Sequence, residues 1–156
     1  SIQIDSVLNN LKVYDLKKSV KEIVDKLIKE SPSFNKLNIK YEDTKDDTRC
    51  VFCFIHLEMV LNVILQNISD MNLTTVNIST SLKGKYVELQ VRDKGEGFSD
   101  FILNNFSSPF ISSKGRGHGL GLYSSLNTVE AMNGKLTIHN DNGAVVSVKL
   151  LRDHNV

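Results

Sequence analysis

Two pairs of alternating apolar runs, each pair joined by a short glycine-containing turn, restrict what this chain can fold into. The runs lie at residues 74–82 and 85–92, and again at 135–140 and 144–151. Alternation with a period of two predicts strands with one buried face, and so short a turn predicts that the two strands of a pair form a hairpin. The sheet is therefore expected to be mixed or antiparallel.

Amphipathic segments with helical spacing separate the predicted strands. They predict helices from the N-cap Asp15 to about residue 30, over 55–71 and over about 118–133, with two further short strands near 37–42 and 49–54. The order is helix and two strands, repeated three times. This order predicts an α+β fold, a two-layer sandwich with a mixed, mostly antiparallel sheet and about three helices packed on one face.

The composition excludes several classes of protein. The chain has 156 residues, of which 40% are hydrophobic and 24% charged, as expected for one globular domain. A net charge of +1 predicts no nucleic-acid partner. No apolar run approaches the roughly 18 residues that would span a bilayer, so no membrane contact is expected. Cys50 and Cys53 are expected to be buried, unreactive thiols, which fits a cytoplasmic location.

The helix predicted over 55–71 carries a polar pair beside its apolar stripe. Asn67 and Asp70 lie one turn apart, on the margin of the face that is expected to be buried. Magnesium takes oxygen ligands and usually accepts only one or two from protein, with the rest from phosphates and water. The amide oxygen of Asn67 is a candidate ligand of this kind, and an ordinary exposed helix asparagine is the alternative.

Asp93 continues the buried face of the strand over 85–92 and is followed by Gly95 and Gly97. A half-buried carboxylate needs hydrogen-bond donors, and the exocyclic amino group of an adenine is a suitable one. The two glycines would allow backbone to approach such a base closely. A simple turn is the alternative, because Asp-x-Gly is a common turn sequence.

Glycines at alternate positions lead directly into the last predicted helix. Gly117, Gly119 and Gly121 would expose backbone N–H groups at a helix N-terminus, where hydrogen bonding and the helix dipole favour phosphate. Lys114 adds a positive charge to the same region, and His118 lies among the glycines as a further candidate contact. The long polar loop over residues 94–117 is predicted to be a lid.

In this order, the helix asparagine and the two glycine segments resemble the catalytic and ATP-binding domain of sensor histidine kinases. That family shares the Bergerat fold with type II topoisomerase, mismatch-repair and heat-shock chaperone ATPases. The resemblance covers about residues 15–151, with the N box at Leu61–Met71, the G1 box at Asp93–Phe98, the F box and its lysine at Pro109–Lys114 and the G2 box at Gly117–Leu122. It implies an ATP lid, and ATP and Mg²⁺ as cofactors. The ATP-binding positions that it implies are Asn67, Asp70, Asp93, Gly95, Gly97, Lys114, Gly117, His118, Gly119, Leu120 and Gly121, with Asn67 as the magnesium ligand.

The resemblance implies a kinase that transfers the γ-phosphate of ATP to a histidine, for relay to a response regulator. None of the four histidines lies in the H-E-x-x-x-P setting that resembles a phosphoacceptor, so the acceptor is expected on a dimerisation domain outside this chain. Residues 1–14 are expected to be the end of the dimerisation helix and its linker, and 15–156 the catalytic ATP-binding domain. The full-length protein is expected to be a homodimer, with any membrane anchor outside this domain, and the isolated domain a monomer.

Alternatives remain open within the same fold. The hydrolytic members place a glutamate one turn before the metal-binding asparagine as a base for water, whereas this chain has Val63 there, which cannot accept a proton. Phosphoryl transfer to an external acceptor is therefore favoured. An anti-sigma-type serine kinase and a catalytically inactive nucleotide-binding module are the alternatives. Val63 supports the second, as does Val145, which stands where many members carry threonine.

Overall fold

Seven strands and five α-helices are formed by the residues that the computed structural model describes, 4–109 and 121–154. They confirm the predicted α+β fold. The strands are β1 (Lys12–Asp15), β2 (Asn38–Asp43), β3 (Arg49–Phe52), β4 (Thr75–Lys83), β5 (Tyr86–Arg92), β6 (Lys135–Asn140) and β7 (Ala144–Leu151). The helices are α1 (Ile4–Asn9), α2 (Leu16–Glu30), α3 (Phe54–Asp70), α4 (Asp100–Asn105) and α5 (Leu122–Ala131), with a 3-10 turn at Pro32–Phe34.

The main sheet has five strands in the order β2-β4-β5-β7-β6. The predicted hairpins β4–β5 and β6–β7 are confirmed, and both pair antiparallel, whereas β2 runs parallel to β4. The last strand, β7, lies inside the sheet between β5 and β6. Its register places Val146 opposite Val91 of β5. The sheet is therefore mixed and mostly antiparallel, as predicted.

A second, two-stranded sheet was not predicted. Residues 1–14 were expected to be the end of a helix and its linker, but α1 ends at Asn9 and the strand β1 follows. This strand pairs antiparallel with β3, with Val13 opposite Val51, so β3 lies outside the main sheet. β-Branched and aromatic side chains favour strands, and the rings of Tyr14 and Phe52 lie 4.9 Å apart across this pair. Cross-strand packing therefore stabilises a strand directly before α2.

The loop predicted over 94–117 contains the short helix α4. The side chain of Ser99 caps it by accepting a hydrogen bond of 3.2 Å from the Ile102 N–H. The part of this loop expected to form the lid, and with it Lys114, Gly117, His118, Gly119 and Leu120, lies outside the described residues.

The hydrophobic core lies between the main sheet and helices α2, α3 and α5. Each of these helices buries the apolar stripe that its periodicity predicts. Among the described residues, no helix is both long and apolar enough to cross a bilayer. Core residues that the helices and the sheet contribute include Val20, Ile23, Leu57, Leu61, Ile64, Ile78, Leu89, Leu122, Val129, Val148 and Leu150.

The buried thiol of Cys50 makes the folded domain sensitive to alkaline pH. Cys50 and Cys53 are buried and free, as predicted. Burial, and secondarily the Asp15 carboxylate, raises the pKa of Cys50 from its ordinary 9.0 to about 12. The unfolded chain therefore loses this proton at lower pH than the folded one, so stability is fully present below about pH 9 and falls as the pH rises towards about 12.

We expect this one thiol to cost about 1.4 kcal/mol of unfolding free energy for each pH unit within that window. Urea unfolding of the wild type and of Cys50→Ala, measured between pH 9 and 11, checks this. Tyr41, whose pKa burial also raises to about 12, is common to both proteins. The unfolding free energy of Cys50→Ala should fall less steeply with pH than that of the wild type, by the contribution of one proton. Equal slopes would contradict the raised pKa of Cys50.

Candidate functional site

A small cleft opens where α3, β5 and β7 meet. Its walls are mostly apolar, and its two polar side chains among the described residues belong to Asn67 and Asp93, which are 5% and 4% exposed. The structure thus brings one predicted site residue from a helix and one from a strand end into the same cleft. The residues that line it are Ile64, Asn67, Ile68, Val91, Asp93, Phe98, Ala144 and Val146.

The carboxylate of Asp93 is held rigidly at the end of β5. Its Oδ1 accepts two backbone hydrogen bonds, from Gly95 N at 2.9 Å and from Ala144 N at 3.0 Å. Its own N–H donates to the carbonyl of Ala144 at 3.0 Å. Asp93 is buried together with Val91 on the core side of the strand, as the alternation predicts. The first residues after β5 are therefore tied to the start of β7.

Gly95 and Gly97 both pack closely against side chains of the protein itself. Gly97 has a φ of +86°, in the left-handed region, and a Cβ there would lie 2.7 Å from Cγ of Asn140. A Cβ on Gly95 would lie 2.7 Å from Cδ1 of Leu73. The sequence suggested that these glycines leave room for a base. In the structure they leave room for neighbouring side chains.

Two residues of the last hairpin, Asn140 at the end of β6 and Gly143 in the turn, shape the site and were not predicted to do so. The side-chain amide of Asn140 bonds both backbone groups of Phe98, accepting from its N–H at 2.7 Å and donating to its carbonyl at 2.9 Å. Gly143 lies so close to Asp93 that a Cβ would overlap the Asp93 carbonyl oxygen. The sequence marked Gly143 only as a turn residue, and no periodic signal identifies Asn140.

The predicted pair on α3 separates in the structure. Asn67 lines the cleft, one helical turn after Ile64. Asp70 is exposed and accepts a hydrogen bond of 2.8 Å from Nε2 of Gln66, and it is not among the cleft residues. Three residues turn a helix by about 300°, so Asp70 is displaced by about 60° from Asn67, towards solvent.

Gly121, the last glycine of the predicted phosphate segment, begins α5. It is the N-cap of this helix and has a φ of +77°. A Cβ on Gly121 would lie 2.8 Å from Cγ1 of Val63 on α3. The start of α5 therefore packs against α3 at Val63, one helical turn before Asn67, the predicted magnesium ligand.

The cleft offers side chains that suit an adenine base and a magnesium ion that is also bound by phosphates. Apolar walls such as Ile64 and Val146 can pack against the faces of a base. The carboxylate of Asp93 is a group that only accepts hydrogen bonds, which suits the exocyclic amino group of an adenine. Asn67 provides a single amide oxygen, which suits a magnesium ion held largely by phosphates and water.

Solved structures with a similar fold include catalytic domains of histidine kinases. The catalytic domain of the histidine kinase ThkA, in a nucleotide-free form, matches with a TM-score of 0.75 and 21% identity, covering 91% of this chain and 95% of that one. The ATP-binding domain of PrrB from Mycobacterium tuberculosis matches with a TM-score of 0.73 and 16% identity, covering 92% and 98%. ThkA has also been solved in complex with the response regulator protein TrrA. The fold is thus that of histidine kinase catalytic domains.

Residues 54–154 match the family of histidine kinase-, DNA gyrase B- and HSP90-like ATPases, and the chain belongs to this family. Sporulation kinase A of Bacillus subtilis (strain 168) is 32% identical over 76 residues, which are 47% of this chain and 12% of that kinase. The sensor histidine kinase component HK1 of Mycobacterium tuberculosis (strain H37Rv) is 30% identical over 101 residues, 61% of this chain and 60% of HK1. The chain thus spans only a small part of the sporulation kinase.

Proposed function

We propose that this chain is the ATP-binding catalytic domain of a sensor histidine kinase, which transfers the γ-phosphate of ATP to a histidine on a separate dimerisation domain. The observation that carries the proposal is that Asn67 and Asp93 face one apolar cleft, in a chain of a family that includes histidine kinases. The curated relatives, sporulation and sensor kinases, support the same activity.

Each polar group has a distinct part in this proposal. Asp93, fixed through Oδ1, accepts a hydrogen bond from the adenine amino group, while the apolar walls exclude water from the base. Asn67 ligates a magnesium ion that the phosphates share, and the ion neutralises charge during phosphoryl transfer. Gly121 is the N-cap of α5, and the N-terminus of this helix is directed at the phosphates. The preceding segment provides the other proposed ATP-binding residues, Lys114, Gly117, His118, Gly119 and Leu120.

A side chain on α3 favours transfer to a protein acceptor over hydrolysis. Val63 precedes Asn67 by one turn, and it packs against Gly121. An aliphatic side chain at this position cannot activate a water molecule as a general base. The nucleophile is therefore expected to come with the acceptor domain. A response regulator is the expected final recipient of the phosphate, consistent with the ThkA–TrrA complex, and the full-length protein is expected to be a homodimer.

The test is a phosphotransfer assay in which the domain is mixed with a separately purified histidine-containing dimerisation domain and γ-labelled ATP. Acid-labile, base-stable label on the acceptor histidine is expected, and replacing that histidine should abolish it. Without an acceptor, hydrolysis should be far slower than about 10 s⁻¹, the typical enzymatic turnover. Label on serine would instead indicate the serine kinase, and nucleotide binding without transfer would indicate an inactive module.

The magnesium role of Asn67 predicts a selective loss. In Asn67→Ala, the affinity for ATP measured in EDTA should stay near that of the wild type, while the gain in affinity on adding Mg²⁺, about tenfold for a typical coupling, should disappear. Isothermal titration with and without Mg²⁺ measures both. Asn62→Ala is the matched control, because Asn62 is exposed on the same helix. An unchanged magnesium effect in Asn67→Ala would contradict the assignment.

A further inference from the structure

The loop that follows β5 is anchored at both ends to the last hairpin, at the two strand residues that flank its turn. At its start, Asp93 exchanges backbone and side-chain hydrogen bonds with Ala144. At its end, Phe98 is bonded through both its N–H and its carbonyl to the amide of Asn140, at 2.7 and 2.9 Å. Residues 94–97 lie between these two anchors.

Asn140 holds the backbone of Phe98 through two hydrogen bonds. An amide side chain that meets both backbone groups of one residue bonds it as a neighbouring strand would, and so fixes position and orientation together. Gly97 packs directly against this amide, because a Cβ on Gly97 would lie 2.7 Å from both Cγ and Oδ1 of Asn140. Phe98, 5% exposed, lines the cleft beside Asp93. Asn140 itself is exposed and does not line the cleft.

We infer that Asn140 is a positioning residue for the nucleotide, one that keeps the loop over residues 94–98 in its binding geometry before the ligand arrives. This inference rests on the proposed function. When a binding-competent geometry is only partly populated, the apparent dissociation constant rises by the reciprocal of that fraction. Removing the Asn140 amide leaves the Asp93–Ala144 anchor intact, so one end of the loop loses two backbone hydrogen bonds while the fold remains.

The test compares Asn140→Ala and Asn140→Asp with the wild type. Binding of ADP and hydrogen exchange over residues 94–98 are measured with and without saturating ADP. For Asn140→Ala the dissociation constant should rise about tenfold, the effect of a loop that is competent about a tenth of the time. Asn140→Asp keeps the acceptor for the Phe98 N–H but places an oxygen against the Phe98 carbonyl, so it should lose at least as much. His139→Ala, an exposed neighbour on the same strand, is the matched control and should bind like the wild type.

Hydrogen exchange separates positioning from a general structural role. In the ligand-free Asn140 variants, exchange should accelerate over residues 94–98 alone, and saturating ADP should return it close to the wild-type rate, because the bound nucleotide replaces the lost anchor. Acceleration throughout β6 and β7 that persists with ADP would overturn the inference, as would ADP binding by Asn140→Ala within twofold of the wild type.

Failure of this inference can be told apart from failure of the proposed function. If the wild type binds ADP and Asp93→Asn weakens that binding, but Asn140→Ala does not, then only the positioning role is wrong. If the wild type does not bind ADP, the proposed function is wrong and the inference fails with it.

Discussion

Asp93→Asn is expected to fold like the wild type and to bind ATP about a hundredfold more weakly, a loss of about 2.7 kcal/mol. The asparagine can keep an oxygen at the position of Oδ1, because two N–H groups, from Gly95 and Ala144, face that position. Its NH₂ group must then occupy the other position. The NH₂ group is a donor where the carboxylate had an acceptor, so it faces the adenine amino group, which is also a donor. The two NH₂ groups cannot bond each other, and each loses a hydrogen bond in a buried cleft.

The experiment separates the structural part of Asp93 from its proposed binding part. Thermal unfolding reports on the contacts that Asp93 makes within the protein, including the two backbone bonds at Oδ1, and titration with ATP reports on its proposed contact with adenine. Asp25→Asn is the matched control, since Asp25 is exposed on α2, and it should leave both measurements unchanged. Wild-type affinity in Asp93→Asn would show that the adenine lies elsewhere.

Gly143→Ala is expected to destabilise the domain by about 3 kcal/mol, through overpacking and a strained backbone together. Its Cβ would overlap the carbonyl oxygen of Asp93 and lie 2.8 Å from the carbonyl carbon and 3.1 Å from Cα of Lys94. Its φ of +133° is also one that L-residues rarely adopt. The neighbours are backbone atoms, so relief requires the turn to move away from β5, which also displaces Asp93. ATP affinity should therefore fall along with stability.

Gly84 provides the comparison that isolates overpacking. It also has a positive φ, +58°, but a Cβ there would meet no atom within 4 Å. Gly84→Ala should therefore cost only the backbone strain, about 1 kcal/mol, and leave ATP binding unchanged. Urea unfolding of both variants gives the two free energies. Equal losses would mean that the contact between Gly143 and Asp93 relaxes without cost.

The parts of the site that follow a regular period could be predicted from the sequence. Alternation along the strand at 85–92 predicted that Asp93 faces the core side, and it is buried there. Helical spacing predicted that Asn67 lies at the margin of a buried face, and it lines the cleft. In both cases, the repeat of the element fixes the direction of the side chain relative to its apolar neighbours.

The parts that depend on contacts between distant segments could not be predicted. The bonds from Asn140 to Phe98 join a side chain to a backbone 42 residues away, and no local pattern encodes them. The same is true of the pairing of β1 with β3, because tertiary packing decides which partner so short a strand takes. Asp70 shares the helical spacing of Asn67, yet the small rotation between them leaves it in contact with Gln66 and solvent.

The position of β7 has a consequence for the order in which the protein becomes competent during synthesis. This strand is the last one in the described chain, yet it lies inside the sheet and supplies both Ala144 and Val146 to the cleft. A nascent chain that has emerged from the ribosome only as far as β6 lacks the partner that holds Asp93, and it leaves an edge of β5 unpaired. Nucleotide capture must therefore await the C-terminal hairpin, and a premature stop before residue 144 removes the site along with the interior of the sheet.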